Sequence, residues 1–492
     1  MKQILLLSLC LLSGKIYAQE ILSREAMLDD IHFLVHTIKE TNPHLFIRRQ
    51  ITGTDIVREI DSLRQTAEKI TSFEEFYYLA KRILLRCQDQ HADLKDYYPQ
   101  GIERTNPFIT AEALERSAAC SREYDFYSPD ACLPVVYVNG EYFFNVTYYD
   151  EDRQTVIPAG AKFVRINNVE IDDYVAGFNR HVDNSVKWDF RHQKYYTTRI
   201  YFPFITGMVD NFTCDITYSV HDSRHTFRYQ GAQIERNAPK DINEPKVLYF
   251  QKKHILYIRI PGMDMNDLDF YTQHILQHKN DSINKIIIDI RSNGGGNDRL
   301  WESILSTIRK NPFAEIQEKT YLKNTPTIKN YLSSMRDERL DEQNRLTVGC
   351  DTFVRIIDTD ERPVLPSLDY TGNIYVLTDD KCFSSSLAFS ATCNRMENVF
   401  TVGQPSGYIG GRGITPLFFS LPHSKLIFSI SPTLDATDVK ASEDYYDRQV
   451  KIPVIHSVED LVLEIAYEGE RYDEEFLFNH DSVFQKVLEQ KD

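Results

Sequence analysis

In the stretch Lys285-Ile286-Ile287-Ile288-Asp289-Ile290-Arg291-Ser292-Asn293-Gly294-Gly295-Gly296-Asn297, a buried-type strand runs straight into a loop that only glycine builds. Few folds accommodate such a junction. An unbroken β-branched run suits a strand covered on both faces, as in a parallel sheet flanked by helices. Three residues without Cβ let the backbone take φ > 0 and turn successive N–H groups toward one point, a concavity for an anion or a developing oxyanion. A tight strand-to-helix turn is the plainer reading of the same glycines. Two nucleotide sites are excluded: Asn297-Asp298-Arg299 stands where a Walker loop needs Lys-Ser/Thr, and the spaced glycines of a dinucleotide fingerprint are missing.

A chain of 492 residues is too long for one ordinary domain and calls for two or three. Residues 1–18 read as a cleavable secretory leader: Lys2, the apolar run Ile4 to Leu12, then small Ala18 before Gln19. That run is too short to span a bilayer, and no later segment has the length and apolarity for it. Cleavage removes Lys2 and Lys15 and takes the net charge from −16 to −18, which argues against a nucleic-acid partner. The cysteine spacing forms no disulfide framework or metal pattern, and no cofactor motif is present.

Residues 19–105 have helical periodicity. Met27, Ile31, Leu34 and Ile38 make one stripe, and Ile56, Ile60 and Leu63 a second. A third helix opens with a capping box of Ser72 and Glu75 and delivers Asp89-Gln90-His91-Ala92 past its end. His91 there is a charge suited to a helix C-terminus or a general base. Residues 120–240 change to strands and turns, with a hairpin expected at Asn139-Gly140. Within them, Ile157 to Ile171 resembles the second half of a PDZ domain, its Ile166-Asn167-Asn168 standing for an Ile-Asn-Gly turn.

From 245 to 465 the pattern is strand, helix, strand, a crossover unit built around the glycine strand. Residues 311–368 read as a polar, irregular insertion, and 466–492 as a helical tail. The strand Gly372 to Thr378 leads to Ser384-Ser385-Ser386 and a helix. A serine at that junction sits at the carboxyl end of a parallel sheet, where the N–H of the next residue can hold an oxyanion. Such serines are also good helix caps.

Asp-x-Arg-x-Asn-Gly-Gly-Gly, the later strand leading to Phe383-Ser384-Ser385, and Val402-Gly403-Gln404-Pro405-Ser406-Gly407 together resemble the C-terminal processing (tail-specific) and tricorn-core serine peptidases. In that family the nucleophile lies nineteen residues before the glycine matched by Gly403, which selects Ser384, and Phe389 falls on the family's aromatic. The resemblance implies an α/β multidomain fold: a helical N-terminal domain, a PDZ-like β-rich middle and a crotonase-like catalytic core. Members with a Ser-Lys dyad place lysine where Ile409 stands, so the resemblance implies the tricorn-like branch, with His91 as base. Leu387 replaces an acid common in the family, and Gln90 and Ala92 replace its Gly and Thr.

The expected activity is therefore peptide hydrolysis, in the secreted or periplasmic space, with no metal or cofactor. Ser384 attacks, His91 moves the proton, and the N–H groups of Gly294 or Gly295 and of Ser385 hold the oxyanion. The group that orients His91 is left open: Glu443 falls near the family's site glutamate, but a solvated acidic turn is the plainer reading of it. The partner implied is a peptide or protein laid as an added strand. An inactive peptide- or lipid-binding protein on the same fold is the competing reading.

Overall fold

The computed structural model describes residues 22–98, 106–124, 132–149, 154–202, 213–229, 244–314, 316, 318–357, 363–406, 416–446, 450–467 and 469–491. The expected leader, Ile409 and Gly407 lie outside them.

The first helix, Arg24–Thr41, is capped by the Ser23 side chain, and Met27, Ile31, Leu34 and Ile38 are buried as their spacing predicts. Helices Leu45–Thr52, Ile56–Thr66 and Phe73–Leu85 follow. Ser72 caps the last of these by accepting the Glu75 N–H, while the Glu75 carboxylate accepts the Thr71 N–H at 2.7 Å. This helical layer does not keep its core to itself. Its apolar faces pack with Leu417, Phe419, Phe428 and Ile430 of two strands more than 300 residues away in sequence. Strand Asp93–Lys95 extends the same sheet by pairing antiparallel with Ile427–Ile430. The segment carrying His91 is thereby fixed to the C-terminal part of the chain.

The middle of the chain is antiparallel and has its own aromatic-rich core, with Tyr142, Phe144, Phe163 and Phe202 all fully buried. Asn139 and Gly140 take φ of 50° and 85°, and Val138 pairs with Glu141: the two-residue hairpin that Asn-Gly signals. Asn167 and Asn168 make a second left-handed turn.

The central sheet has the order Lys246–Phe250, Ile255–Arg259, Lys285–Asp289, Asn373–Thr378, Val399–Gly403, Ile452–Pro453. Its first pair is antiparallel and the rest are parallel. Ile286, Ile287 and Ile288 are wholly buried between cores on the two faces, as an unbroken apolar strand requires. Helices Leu268–Leu276, Asp298–Ile308 and Ser385–Arg395 make the crossovers. Asp289 pairs with Leu377, so the glycine loop and the serine loop leave neighbouring strands side by side at the same edge.

Residues 311–368 are not an irregular insertion. They form strands Thr320–Lys323, Leu340–Val348 and Asp351–Ile356 and helix Pro326–Ser334, and the three strands join Thr433–Asp435 in a four-stranded sheet. Leu340–Val348 is an edge strand with a mostly exposed, charged surface, so it lacks the apolar alternation by which a strand is recognised. Among the described residues, no helix is long and apolar enough to cross a membrane.

Candidate functional site

Ser384 occupies the N-cap position of helix Ser385–Arg395, yet its side chain caps nothing. Its backbone sits at φ 55°, ψ −119°, a conformation that costs a non-glycine residue of order 1–3 kcal/mol and persists only when the surroundings impose it. Among the described residues its hydroxyl makes no hydrogen bond. Its two neighbours differ in this respect. Ser386 Oγ donates toward Asn293 O at 2.6 Å and accepts the Phe383 N–H at 2.9 Å, pinning the serine loop to the glycine loop. Ser385 Oγ donates to Asp298 Oδ1 at 2.5 Å, and Asp298 also accepts Trp301 Nε1–H at 3.0 Å. Two of the three serines are thus structural, and Ser384 alone presents an unengaged hydroxyl.

The glycine loop faces it. Gly295 takes φ 100°, and a Cβ there would lie 2.7 Å from both Phe383 O and Ser384 Cβ. Gly296, at φ 138°, would meet Met263 O at 2.3 Å, because Met263 bridges to the loop as an extra strand residue. Gly294 has room for a Cβ and no positive φ. Their N–H groups also divide. Gly295 donates to Asn293 Oδ1 at 2.7 Å, so that donor is used within the loop. The N–H groups of Gly294 and Ser385 have no acceptor among the described residues.

His91 lies on the turn after helix Phe73–Leu85, with its ring tilted against Phe383 at 4.5 Å between centroids. This places the imidazole beside the residue that precedes Ser384. The other edge of the ring is held from behind: Nδ1 lies 2.7 Å from Ser431 Oγ, and Ser431 Oγ lies 3.1 Å from Asp89 Oδ1. An ionised carboxylate only accepts, so the Ser431 hydroxyl donates to Asp89 and must accept from Nδ1–H. The lone pair is then on Nε2.

Asp89 is built into the wall. Its side chain is 1% exposed, and it also accepts the backbone N–H groups of His91 at 3.0 Å and of Ser431 at 3.0 Å. Burial pushes its carboxyl up, but the hydrogen bonds and charge from His91 and the Ser431 N–H outweigh this and hold it well below the usual range. Ser431 directly follows strand Ile427–Ile430, so the pairing of that strand with Asp93–Lys95 fixes the register of the relay.

The structure thus brings together Ser384, His91, Gly294, Gly295 and Ser385 around adjoining loops. Glu443 stands apart from these contacts: it is exposed on the 3₁₀ turn Ser442–Tyr445, and its carboxylate bonds nothing among the described residues. Asp89 and Ser431 make the contacts to His91 instead. Asp89 lay inside the motif read for His91, but Ser431 carried no local signal. Leu387 and Ala92 are both buried, Ala92 within the apolar core of the helical layer.

Residues 254–433 match the model of peptidase family S41. No curated protein matches the chain. Among solved structures, mature CPAF complexed with lactacystin is similar at a TM-score of 0.54 and 13% identity, over 89% of this chain and 95% of that one. A CPAF mutant gives 0.55 at 12% identity, over 89% and 94%. At these identities the likeness is one of fold.

Proposed function

We propose that this chain is a serine peptidase of family S41, whose model matches residues 254–433, with Ser384 as its nucleophile and His91 as its general base. The observation that carries the assignment is the condition of Ser384, held in a strained backbone with a hydroxyl unengaged among the described residues, beside the Phe383 ring that packs on His91. The leader-like residues 1–18 support a secreted or periplasmic endopeptidase acting on peptide or protein substrates.

In the acylation step, Ser384 Oγ attacks the peptide carbonyl carbon as its proton passes to His91 Nε2. The oxyanion is held by the N–H groups of Ser385 and Gly294, which have no other acceptor among the described residues; Gly295, whose N–H goes to Asn293 Oδ1, shapes the loop. Each such donor is worth about 10²- to 10³-fold in rate. The imidazolium is stabilised through Ser431 by the Asp89 carboxylate. His91 then protonates the leaving amine, and water, deprotonated by the same nitrogen, releases the acyl group from Ser384.

Intact-mass measurement after exposure to a fluorophosphonate tests the assignment. One adduct mapping to Ser384, lost in Ser384→Ala and much slower in His91→Ala, is the expected result. A folded protein that acquires no adduct would sink it and leave the binding-protein reading.

A further inference from the structure

Both catalytic loops are tied to one short stretch of the middle segment. On the His91 side, Gln88 adopts a left-handed backbone (φ 49°) immediately before Asp89, and its Nε2 donates to Arg180 O at 2.7 Å. Arg86 Nη1 donates to His181 O at 3.2 Å. On the Ser384 side, Lys187 begins strand Lys187–Asp189, and its ammonium donates to the backbone carbonyl of Asp380 and, at 2.7 Å, to the Asp380 carboxylate. Asp380 lies four residues before Ser384. The adjacent Asp379 accepts the Ser292 N–H at 2.9 Å and its hydroxyl at 3.0 Å, at the start of the glycine turn.

The Lys187 side chain is 1% exposed, and lysine is rarely buried to that extent without a partner that requires it. Here one ammonium fixes both the main chain and the side chain of Asp380, so the loop cannot turn about its own axis. Burial pushes the Asp380 carboxyl up, but the Lys187 charge and hydrogen bond outweigh this and keep it ionised. An apolar side chain would fill the same space without fixing that loop.

We propose that residues 180–187 form a brace that sets His91 against Ser384, with Lys187 as the positioning residue for the serine and glycine loops. The proposal rests on the assignment of Ser384 and His91 as nucleophile and base. It gives the middle segment a part in catalysis without any contact to substrate.

The test compares wild type with Lys187→Met and with Lys187→Met/Asp380→Asn, the double variant leaving no unpaired buried charge should the single one fail to fold. Lys194→Met is the control, since Lys194 pairs with Asp172 in the same segment at 2.6 Å. Fluorophosphonate labelling of Ser384 and hydrolysis of a peptide from a random library are measured on each, beside thermal unfolding. The folded double variant is expected to lose about 10- to 100-fold in kcat and labelling rate with KM changed little, and Lys194→Met to match wild type. A double variant that labels and turns over like wild type overturns the brace while leaving the peptidase assignment intact. An equal loss in Lys194→Met overturns it too, by showing general loosening. A wild-type protein unlabelled at Ser384 removes both.

Discussion

The Ser431 hydroxyl stands between His91 Nδ1, at 2.7 Å, and the buried Asp89 carboxylate, so base and acid communicate through a third side chain. In Ser431→Ala the imidazole loses its acceptor, while Asp89 stays buried with its two backbone donors. Peptide turnover should fall about 10- to 100-fold, chiefly in kcat, whereas Glu443→Gln should leave it unchanged. A loss in Glu443→Gln comparable to that in Ser431→Ala would give the orienting role to the glutamate instead.

Asp89→Asn should cost more than Ser431→Ala. The amide turns a donor toward a site where the carboxylate accepted from three partners, so about 1–3 kcal/mol of stability is expected to go with the activity. The sign with pH follows from a folded pKa below the unfolded one. Asp89 contributes its stability above the ordinary aspartate range near pH 4, and the contribution is lost as pH falls through the lower folded value. Urea unfolding between pH 3 and 7 should therefore show a shallower acid loss in Asp89→Asn than in wild type.

Two adjacent glycines should respond oppositely to alanine. Gly295→Ala forces a Cβ to 2.7 Å from Phe383 O and Ser384 Cβ at a positive φ, so fluorophosphonate labelling should drop by two or more orders of magnitude, about as for a displaced catalytic group. Gly294→Ala keeps its N–H and meets nothing within 4 Å, so labelling should stay within about threefold of wild type. Equal damage from both would mean that the loop tolerates no side chain at all, and that the division between donor and spacer is wrong.

These contrasts also show where sequence was informative. Ile286 to Ile288 had to be covered on both faces and are, and Asn139-Gly140 had to turn and does, because local chemistry alone dictates both. The strand Leu340–Val348 escaped notice because its exposed edge carries Asp341, Glu342 and Arg345, and apolar alternation is the signal by which strands are read. Ser431 and Lys187 were illegible for a different reason. Each acts on a partner that is distant in sequence, 340 residues for Ser431 and His91 and 193 for Lys187 and Asp380, and nothing in the local pattern marks such pairings.

Glu464 lies on helix Val458–Ala466. Burial, aided by the neighbouring charges of Asp481 and Asp460 and opposed by Arg291 and Arg471, raises its pKa to about 7. His456 Nδ1 lies 3.9 Å away, itself lowered by burial and by Arg291. A carboxyl raised on folding is protonated in both states at low pH. As pH climbs from about 4.5 toward 7 the unfolded chain releases this proton first, so the group progressively opposes folding and its full cost is reached above pH 7. A pKa raised from 4.5 to about 7 corresponds to a cost on the order of 3 kcal/mol. Glu464→Gln removes the titration while leaving His456 in place, so the variant minus wild-type difference in unfolding free energy isolates it. That difference should be more favourable to the variant at pH 8 than at pH 5 by about 1–3 kcal/mol. A difference independent of pH would mean that Glu464 ionises in the folded protein as it does in water, and that Arg291 and Arg471 rather than burial govern it.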